Sequence, residues 1–487
     1  MDAVEKTKIR KAIKVTPVVE TMPADLLTPL GVFLALSSES KNCFLLESVE
    51  GGETLARYSF IGADPEMIVS GNGKRIKIVE GERERYEDTA FINFIREHFY
   101  EVTATAAADL PSFIGGAIGY LNFSCVEWFE PTLSGGAESD DEAAFMFYRS
   151  VVAFDHAKQV VKIISLTFDH ENESHDDQLA KAVGANNQIR NRLENASFSR
   201  RGVSSRPTET KIKSNFERSA FESAVAAGKE FIFAGDCYQV VLSQRFSRST
   251  TASDVSIYRA LRSTNPSPYM FLLRFENKSI IGASPEMLVK CTSDHLEYRP
   301  IAGTRRRGNT PTEDTALSDE MRRDQKEVAE HLMLVDLGRN DLGRVAEFGT
   351  VKVDELMKVE KYSHVQHLVS SLSATLRSEL NRFDALAACF PAGTVSGAPK
   401  VRSIEIIREL EPDDRGIYAG AVGYFDYSGN MDTCIAIRTL VLENGVATIQ
   451  AGAGIVADSV PELEYEETIN KAKALLRAVE IAEAGEL

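Results

Sequence analysis

The spacing of apolar and polar residues changes repeatedly along the chain, and each change marks an element. Residues 26–37 recur at helical spacing and predict a short helix. Residues 43–48 and 57–62 read as strands either side of a Gly51-Gly52 turn. Residues 66–86 predict a hairpin around Gly71-Asn72-Gly73, a turn signal. Residues 113–120 form an apolar, glycine-rich strand, 145–154 and 160–167 a strand pair, and 174–195 a polar helix. Residues 1–23 read as a loosely held arm.

Residues 196–214 are polar, rich in Ser, Thr and Arg, and read as a linker. They divide an N-terminal domain, 20–195, from a catalytic domain, 215–484. The second half opens with a helix over 216–234, with Phe221, Val225, Gly228 and Ile232 on one face. Strands are predicted at 238–246, 269–275, 280–283, 297–300, 419–426, 433–442 and 447–451. They come as hairpins and meanders, not as strand–helix–strand units. The expected class is α+β: a large antiparallel β-sandwich with helices packed on the outside.

Two helices carry unusual acidic patterns. Asp324 can cap a helix running to Gly343, in which Val328, Leu332 and Val335 recur at helical spacing. Glu327, Glu330, Leu334 and Leu337 share one stripe, so two carboxylates face the same way as two leucines. A second helix, 461–484, has Ile469, Ala472, Leu476 and Val479 as its apolar stripe. It carries Glu464 and Glu467, with Lys471 a turn further on. Either pair alone reads best as solvated. Two inward pairs together can form an all-oxygen site for a hard divalent ion such as Mg²⁺.

Composition adds limits. The chain of 487 residues is long for one compact core, so two domains or one very large sandwich are expected. A net charge of −17 argues against nucleic acid as a ligand. The six cysteines are scattered, without metal-ligand spacing, as in a reducing cytoplasm. The basic start, Lys6 to Lys14, is followed by no apolar segment of a secretory signal. No apolar run approaches the ~18 residues of a membrane span. A soluble protein that binds no membrane is expected.

Three glycine-rich loops offer backbone donors. Pro300 to Gly308 ends in three arginines; Pro391 to Lys400 opens a helix over 401–410 and suits an anion; Gln450 to Gly454 is a strand end. Each alone is better explained as a turn. Together with Arg438 and the acidic helices they suggest a dianionic small molecule held partly through Mg²⁺.

The segments PIAGTRRRG, DQKEVAEHLMLVDLGRNDLGR, KYSHVQHLVS, PAGTVSGAPK, GIYAGAVGYF, DTCIAIRT, QAGAGIVADS and ETINKA stand where one family has its motifs. The chain resembles the chorismate-utilising enzymes over about residues 20–480, and most of all the large subunits of anthranilate synthases. The resemblance implies Mg²⁺-dependent amination of chorismate by ammonia, then loss of pyruvate to give anthranilate, with feedback inhibition by tryptophan. Ala302 replaces the nucleophilic lysine common in aminodeoxychorismate synthases. Gln239 replaces the lysine with which isochorismate and salicylate synthases activate water. Ammonia is therefore the expected nucleophile. A 4-amino-4-deoxychorismate synthase, or a non-catalytic tryptophan sensor, remains as an alternative.

The resemblance also assigns roles. Glu330 and Glu467 would hold Mg²⁺, with Glu464 assisting. Gly452, Ala453 and Gly454 would hold a carboxylate oxygen; Arg438 and Tyr418 the enolpyruvyl carboxylate; Gly303, Thr304 and Lys471 further polar atoms of chorismate. Glu327 is the expected general acid, since crowded carboxylates raise a glutamate pKa. His367, Gln239 and Thr394 complete the catalytic set, with a purely structural role for His367 left open. Glu47, Ser48, Arg57, Pro268, Tyr269, Met270 and Cys434 match the tryptophan site. No cysteine lies in a G-x-C-x-G elbow, so a separate glutamine amidotransferase subunit is expected, in a heterotetramer.

Overall fold

The computed structural model describes residues 13–485, except 49–56, 101, 105–108, 136–138, 140, 170–172, 197–210 and 363–364. Within these, two large sheets of thirteen and twelve strands face each other, with helices outside. Every strand pair described is antiparallel except Ile13–Pro23 with Val102–Ala104. This is the α+β sandwich expected from the hairpin pattern.

Period-two alternation sorts the strand residues between two cores. In Cys43–Glu47, Phe44 enters the core between the sheets, with Phe60, Val69, Ile118 and Phe425. Its neighbour Leu45 faces the other way, into a core under the helices. There Leu272, Ile281 and Leu440 meet Phe33 of the helix Pro29–Ser37, Leu261 of Asp254–Thr264, and Leu475 and Val479 of Pro461–Ala484. A strand buried on both faces reads as a continuous apolar run. Both sheets take strands from either side of residues 196–214: Cys43–Glu47 pairs with Tyr269–Phe275, and Gly116–Leu121 with Ala421–Asp426.

Several expectations change. Residues 13–23 are no loose arm. Ile13–Pro23 is a strand paired with Val160–Phe168, and Val15 is fully buried. Pro17 lies just past the three-residue pairing with Val102–Ala104, at a strand edge where a missing donor is tolerated. The single strand expected over 145–154 is two, Ala143–Tyr148 and Ser150–Asp155, in different sheets. Residues 433–442 divide likewise into Met431–Ile435 and Thr439–Glu443. In both places the chain crosses from one sheet to the other at a polar pair, Arg149-Ser150 or Arg438-Thr439, with apolar strand on either side. At the second crossing Arg438 adopts φ 49°, a left-handed conformation. The hairpin at 66–86 gains a third strand, Arg83–Glu87. The Gly51-Gly52 turn and residues 197–210 of the linker lie outside the described residues.

All six cysteines are free and buried. No helix among the described residues is long and apolar enough to cross a membrane.

Candidate active site

A cavity of about 210 Å³ opens where the helices Gln325–Gly343 and Pro461–Ala484 meet the glycine-rich strand ends. Asp324 caps the first helix: its Oδ1 accepts from Lys326 N at 3.0 Å and Glu327 N at 3.3 Å. The Glu330–Leu334–Leu337 stripe faces inward as its spacing predicts. Glu330 and Leu334 line the cavity, and Leu337 packs onto the helix Gly393–Ser396. A Cβ on Gly393 would lie 1.7 Å from Leu337 Cδ2, so only glycine permits this approach.

The far wall is the strand Val446–Ile455, paired with Gln239–Ser249 so that Gly454 faces Val241 and Gly452 faces Ser243. A Cβ on Gly452 would meet Tyr418 Oη at 2.6 Å, and one on Gly454 would meet Gln239 Nε2 at 2.5 Å. The glycines therefore make room for these two polar side chains. Gln239, Thr304, His367, Thr394, Tyr418, Gly452 and Gly454 all line the cavity. Ala453 is buried in the core between the sheets instead. Gln239 Oε1 is buried without a hydrogen-bond partner among the described residues, while the Thr394 hydroxyl lies against Glu286. Such an orphaned atom costs stability unless a ligand satisfies it.

Arg438 and Lys471 supply positive charge. Burial holds the Arg438 guanidinium below the usual arginine range, opposed by Tyr418 and Glu467. Its one hydrogen bond among the described residues is a long one, Nη1 to the Lys471 carbonyl at 3.4 Å. It has no carboxylate partner among them, and a buried unpaired cation is a place for an anion. Lys471 Nζ donates to Gly452 O at 2.8 Å and pairs with Glu467 Oε1 at 2.7 Å. Burial raises the Tyr418 hydroxyl to about 12, so it stays a neutral donor.

The acidic helices meet at the rim. Burial raises the Glu330 carboxyl, and Glu327 and Glu467 raise it further. Burial also raises Glu464, opposed by Ser459 and reinforced by Glu467. This mutual repulsion, in an all-oxygen donor set, suits a hard divalent cation. No three acidic, His or Cys side chains among the described residues converge into a closed metal site. Mg²⁺ commonly takes only one or two protein carboxylates, with substrate oxygens and water completing its shell. Glu330 and Glu467 fit that pattern.

The arginine segment is arranged differently from its sequence reading. Ile301–Arg306 is itself a strand with a bulge at Gly303, whose φ is 63°. Its arginines are taken up by acids: Arg305 by Glu327, Asp324 and Glu320, Arg306 by Glu313, and Arg307 by Asp314. Glu327 thus faces a guanidinium where only carboxylates were expected. Lys400 does not face an anion site either. It is buried against Asp341 at 3.0 Å. His367 Nδ1 lies 3.0 Å from Gly303 O and 3.1 Å from Thr304 Oγ1. A carbonyl only accepts, so this nitrogen carries a proton.

Glu286 lines the same cavity and escaped the sequence reading. Burial pushes its carboxyl up to about 8, with the Thr394 side chain beside it opposing the shift. It is 5% exposed. A glutamate in A-S-P-E-M, between two strands, looks like any turn acid. Only its burial against the cavity marks it.

A second cavity, about 310 Å³, lies between the sheets where strands of both halves meet. Glu47, Ser48, Arg57, Pro268, Tyr269, Met270 and Cys434 all line it. Glu47 accepts from Tyr258 Oη at 2.5 Å and from Arg262 at 3.1 and 3.2 Å. Arg57 pairs with Asp155 at 3.1 Å. Asp432, also in the wall, accepts from Tyr269 Oη at 3.1 Å, and burial raises its carboxyl to about 6.

A buried cation, an orphaned polar atom and crowded carboxylates define a site for a polyanionic small molecule inside a β-sandwich. The chain belongs to the chorismate binding enzymes, a family that matches residues 41–477. Among its relatives, the anthranilate synthase component 1 of Acetivibrio thermocellus is 45% identical, covering 98% of this chain and 97% of that one. That of Pseudomonas putida is 44% identical, over 94% of each. The crystal structure of anthranilate synthase component I from Streptococcus pneumoniae superposes with a TM-score of 0.74 at 35% identity, covering 94% of this chain and 99% of that one.

Proposed function

We infer that this chain makes anthranilate from chorismate, as the names of its relatives indicate, with ammonia supplied by a glutamine amidotransferase subunit. The observation that carries this reading is a buried site holding an unpaired Arg438 and no lysine at positions 239 or 302. Gln239 and Ala302 remove the lysines from those two positions, and the lysine that does line the cavity, Lys471, is held by Glu467 and Gly452 O.

Arg438 binds the enolpyruvyl carboxylate by a charge-assisted contact, with the neutral Tyr418 hydroxyl donating beside it. Backbone amides at Gly452 and Gly454 take the ring carboxylate. Glu330 and Glu467, assisted by Glu464, would hold Mg²⁺, which would neutralise that carboxylate's charge. Ammonia adds at ring carbon 2; both ring double bonds shift by one position, toward carbon 4, and the carbon 4–oxygen bond breaks. The departing hydroxide needs a proton to leave as water. Glu286, held protonated near neutrality by burial, is better placed for this than Glu327, which is paired with Arg305. The added nitrogen releases its extra proton. Loss of the carbon 2 proton and of the enolpyruvyl group, as pyruvate, then aromatises the ring. His367, oriented through Nδ1 by Gly303 O, lines the cavity and fixes the strand that carries Thr304.

Tryptophan is the expected ligand of the second cavity, and the cytoplasm the expected compartment. The test is direct: chain, chorismate, Mg²⁺ and ammonium should give anthranilate fluorescence with one pyruvate per product. A non-aromatic amino product would instead favour 4-amino-4-deoxychorismate synthesis.

A further inference from the structure

The helix Gln325–Gly343 turns one face to the cavity and another to the sheet beside it. Glu330 and Leu334 line the cavity. The sheet face carries Glu327, His331, Val335, Gly338 and Leu342, spaced three or four residues apart. Glu327 is paired with Arg305, Gly338 lies against the Tyr298 ring, and Val335 and Leu342 enter the core between the sheets. His331 stands in the middle of this face and is fully buried. A leucine would pack there without burying a polar ring. The ring keeps one nitrogen, Nδ1, without a partner among the described residues, which costs stability.

What the histidine gains is a bond. Its Nε2 lies 2.6 Å from Ser370 Oγ. Ser370 belongs to the strand Val365–Thr375, which also carries His367, and its N–H donates to Pro300 O. Its hydroxyl oxygen accepts from Met357 N at 3.0 Å. A bulge supplies that donor. Glu355 pairs with Ser371 and Lys358 with Val369, so Leu356 and Met357 together face Ser370, and Met357 takes φ 50°. The bulge turns an N–H out of the ladder and onto the hydroxyl, whose own proton is then free for His331. His331, Ser370 and Met357 thus link the helix to two strands.

We propose that His331 is a positioning residue: its bond to Ser370 fixes the rotation of the helix, so that Glu330 meets Mg²⁺ in register with the strands that carry His367 and Thr304. This rests on the functional reading above. The bonds Arg305–Glu327 and Ser370–His331 lie one turn apart on one side of the helix, so together they oppose rolling. Glu330 is the residue before His331, and its backbone cannot move unless His331 moves too. Rolling the helix by about 10° would carry a carboxylate ~6 Å from its axis through about 1 Å. Mg²⁺ demands near-ideal octahedral geometry and does not absorb such a shift. A hydrogen bond is directional where leucine packing is not, so a polar residue holds the angle here.

The test measures metal binding apart from turnover. Mg²⁺ is titrated by calorimetry, without ammonium, into the full chain holding a chorismate analogue that lacks the carbon 4 hydroxyl. His331→Leu fills the space and removes the bond. It should melt within a few degrees of the unsubstituted chain and bind Mg²⁺ roughly tenfold more weakly or worse, as when a metal ligand loses its support. His331→Gln places a polar atom near the position of Nε2 and should recover most of the affinity. Ser370→Ala cuts the same bond from the other side, and adding it to His331→Leu should cost nothing further, because the two act through one interaction. Unchanged Mg²⁺ affinity in His331→Leu or in Ser370→Ala would overturn the proposal, as would His331→Gln binding as weakly as His331→Leu, or losses that add in the double variant. If His331→Leu does not fold, Ser370→Ala and His331→Gln decide the matter. An unsubstituted chain that binds no Mg²⁺ with the analogue and makes no anthranilate from ammonium would instead defeat the functional reading.

Discussion

Arg305 Nη1 donates to Glu327 Oε1 at 2.8 Å, so the acid that heads the E-x-x-E stripe is ion-paired with the arginine strand beside it. Glu286, by contrast, is buried in the cavity wall and held protonated to about pH 8. The two glutamates can be separated experimentally. Glu286→Gln should lower kcat by about 10²–10⁴, the usual worth of a positioned acid. Glu327→Gln should cost less and should raise KM by loosening Gly303. Equal losses in kcat for both variants, in steady-state assays, would return the acid role to Glu327.

Glu286 also predicts a pH dependence of stability. Its folded value, about 8, lies above its ordinary 4.5. Between these values the folded state holds a proton that the unfolded chain has lost. This group's contribution is complete below about 4.5 and is lost as pH rises through about 8. Denaturation curves should show stability falling over that window, with a shallower fall in Glu286→Gln. A slope identical in the two proteins would remove the assignment.

The ammonium-dependent rate should respond to pH in two opposed ways. Free ammonia increases with pH, while protonated Glu286 declines above about 8. The product of the two should rise from neutrality and then level or fall. The chain alone should use ammonium and not glutamine. Glutamine-dependent turnover by the homogeneous chain would contradict this.

Removing one carboxylate at the rim should expose the metal requirement. Glu330→Gln should abolish turnover or raise the Mg²⁺ needed at least tenfold, while the melting temperature stays within a few degrees. Activity of the variant at low Mg²⁺ equal to that of the unsubstituted chain would show that Glu330 holds no metal.

The second cavity predicts coupling between ligands. Ser48→Phe should fill it, retain ammonium-dependent activity and lose tryptophan inhibition. By linkage, a chorismate analogue must weaken tryptophan binding by the same factor as tryptophan weakens binding of the analogue. Calorimetry giving equal tryptophan affinities with and without the analogue would show that the cavity does not regulate the site.

The local pattern of the sequence determined most elements and the direction of the key helix. Hydrophobic spacing placed Glu330 and Leu334 on one face, and Asp324 announced the cap, because both follow from the geometry of a single helix. Its motifs likewise named Arg438, Tyr418 and the Gly452–Gly454 wall. Tertiary structure decided what no local pattern carries. The crossings at Arg149 and at Arg438 are marked only by one polar pair each, Arg149-Ser150 and Arg438-Thr439, within otherwise apolar segments whose strands on both sides are buried. Glu286 became an acid only by burial beside Thr394, and Glu327 gained an arginine partner 22 residues away. His331 meets a hydroxyl 39 residues away, which only the sheet brings to that face of the helix. Side-chain period and capping are set by neighbours in sequence, whereas pKa, ion pairing and access are set by neighbours in space.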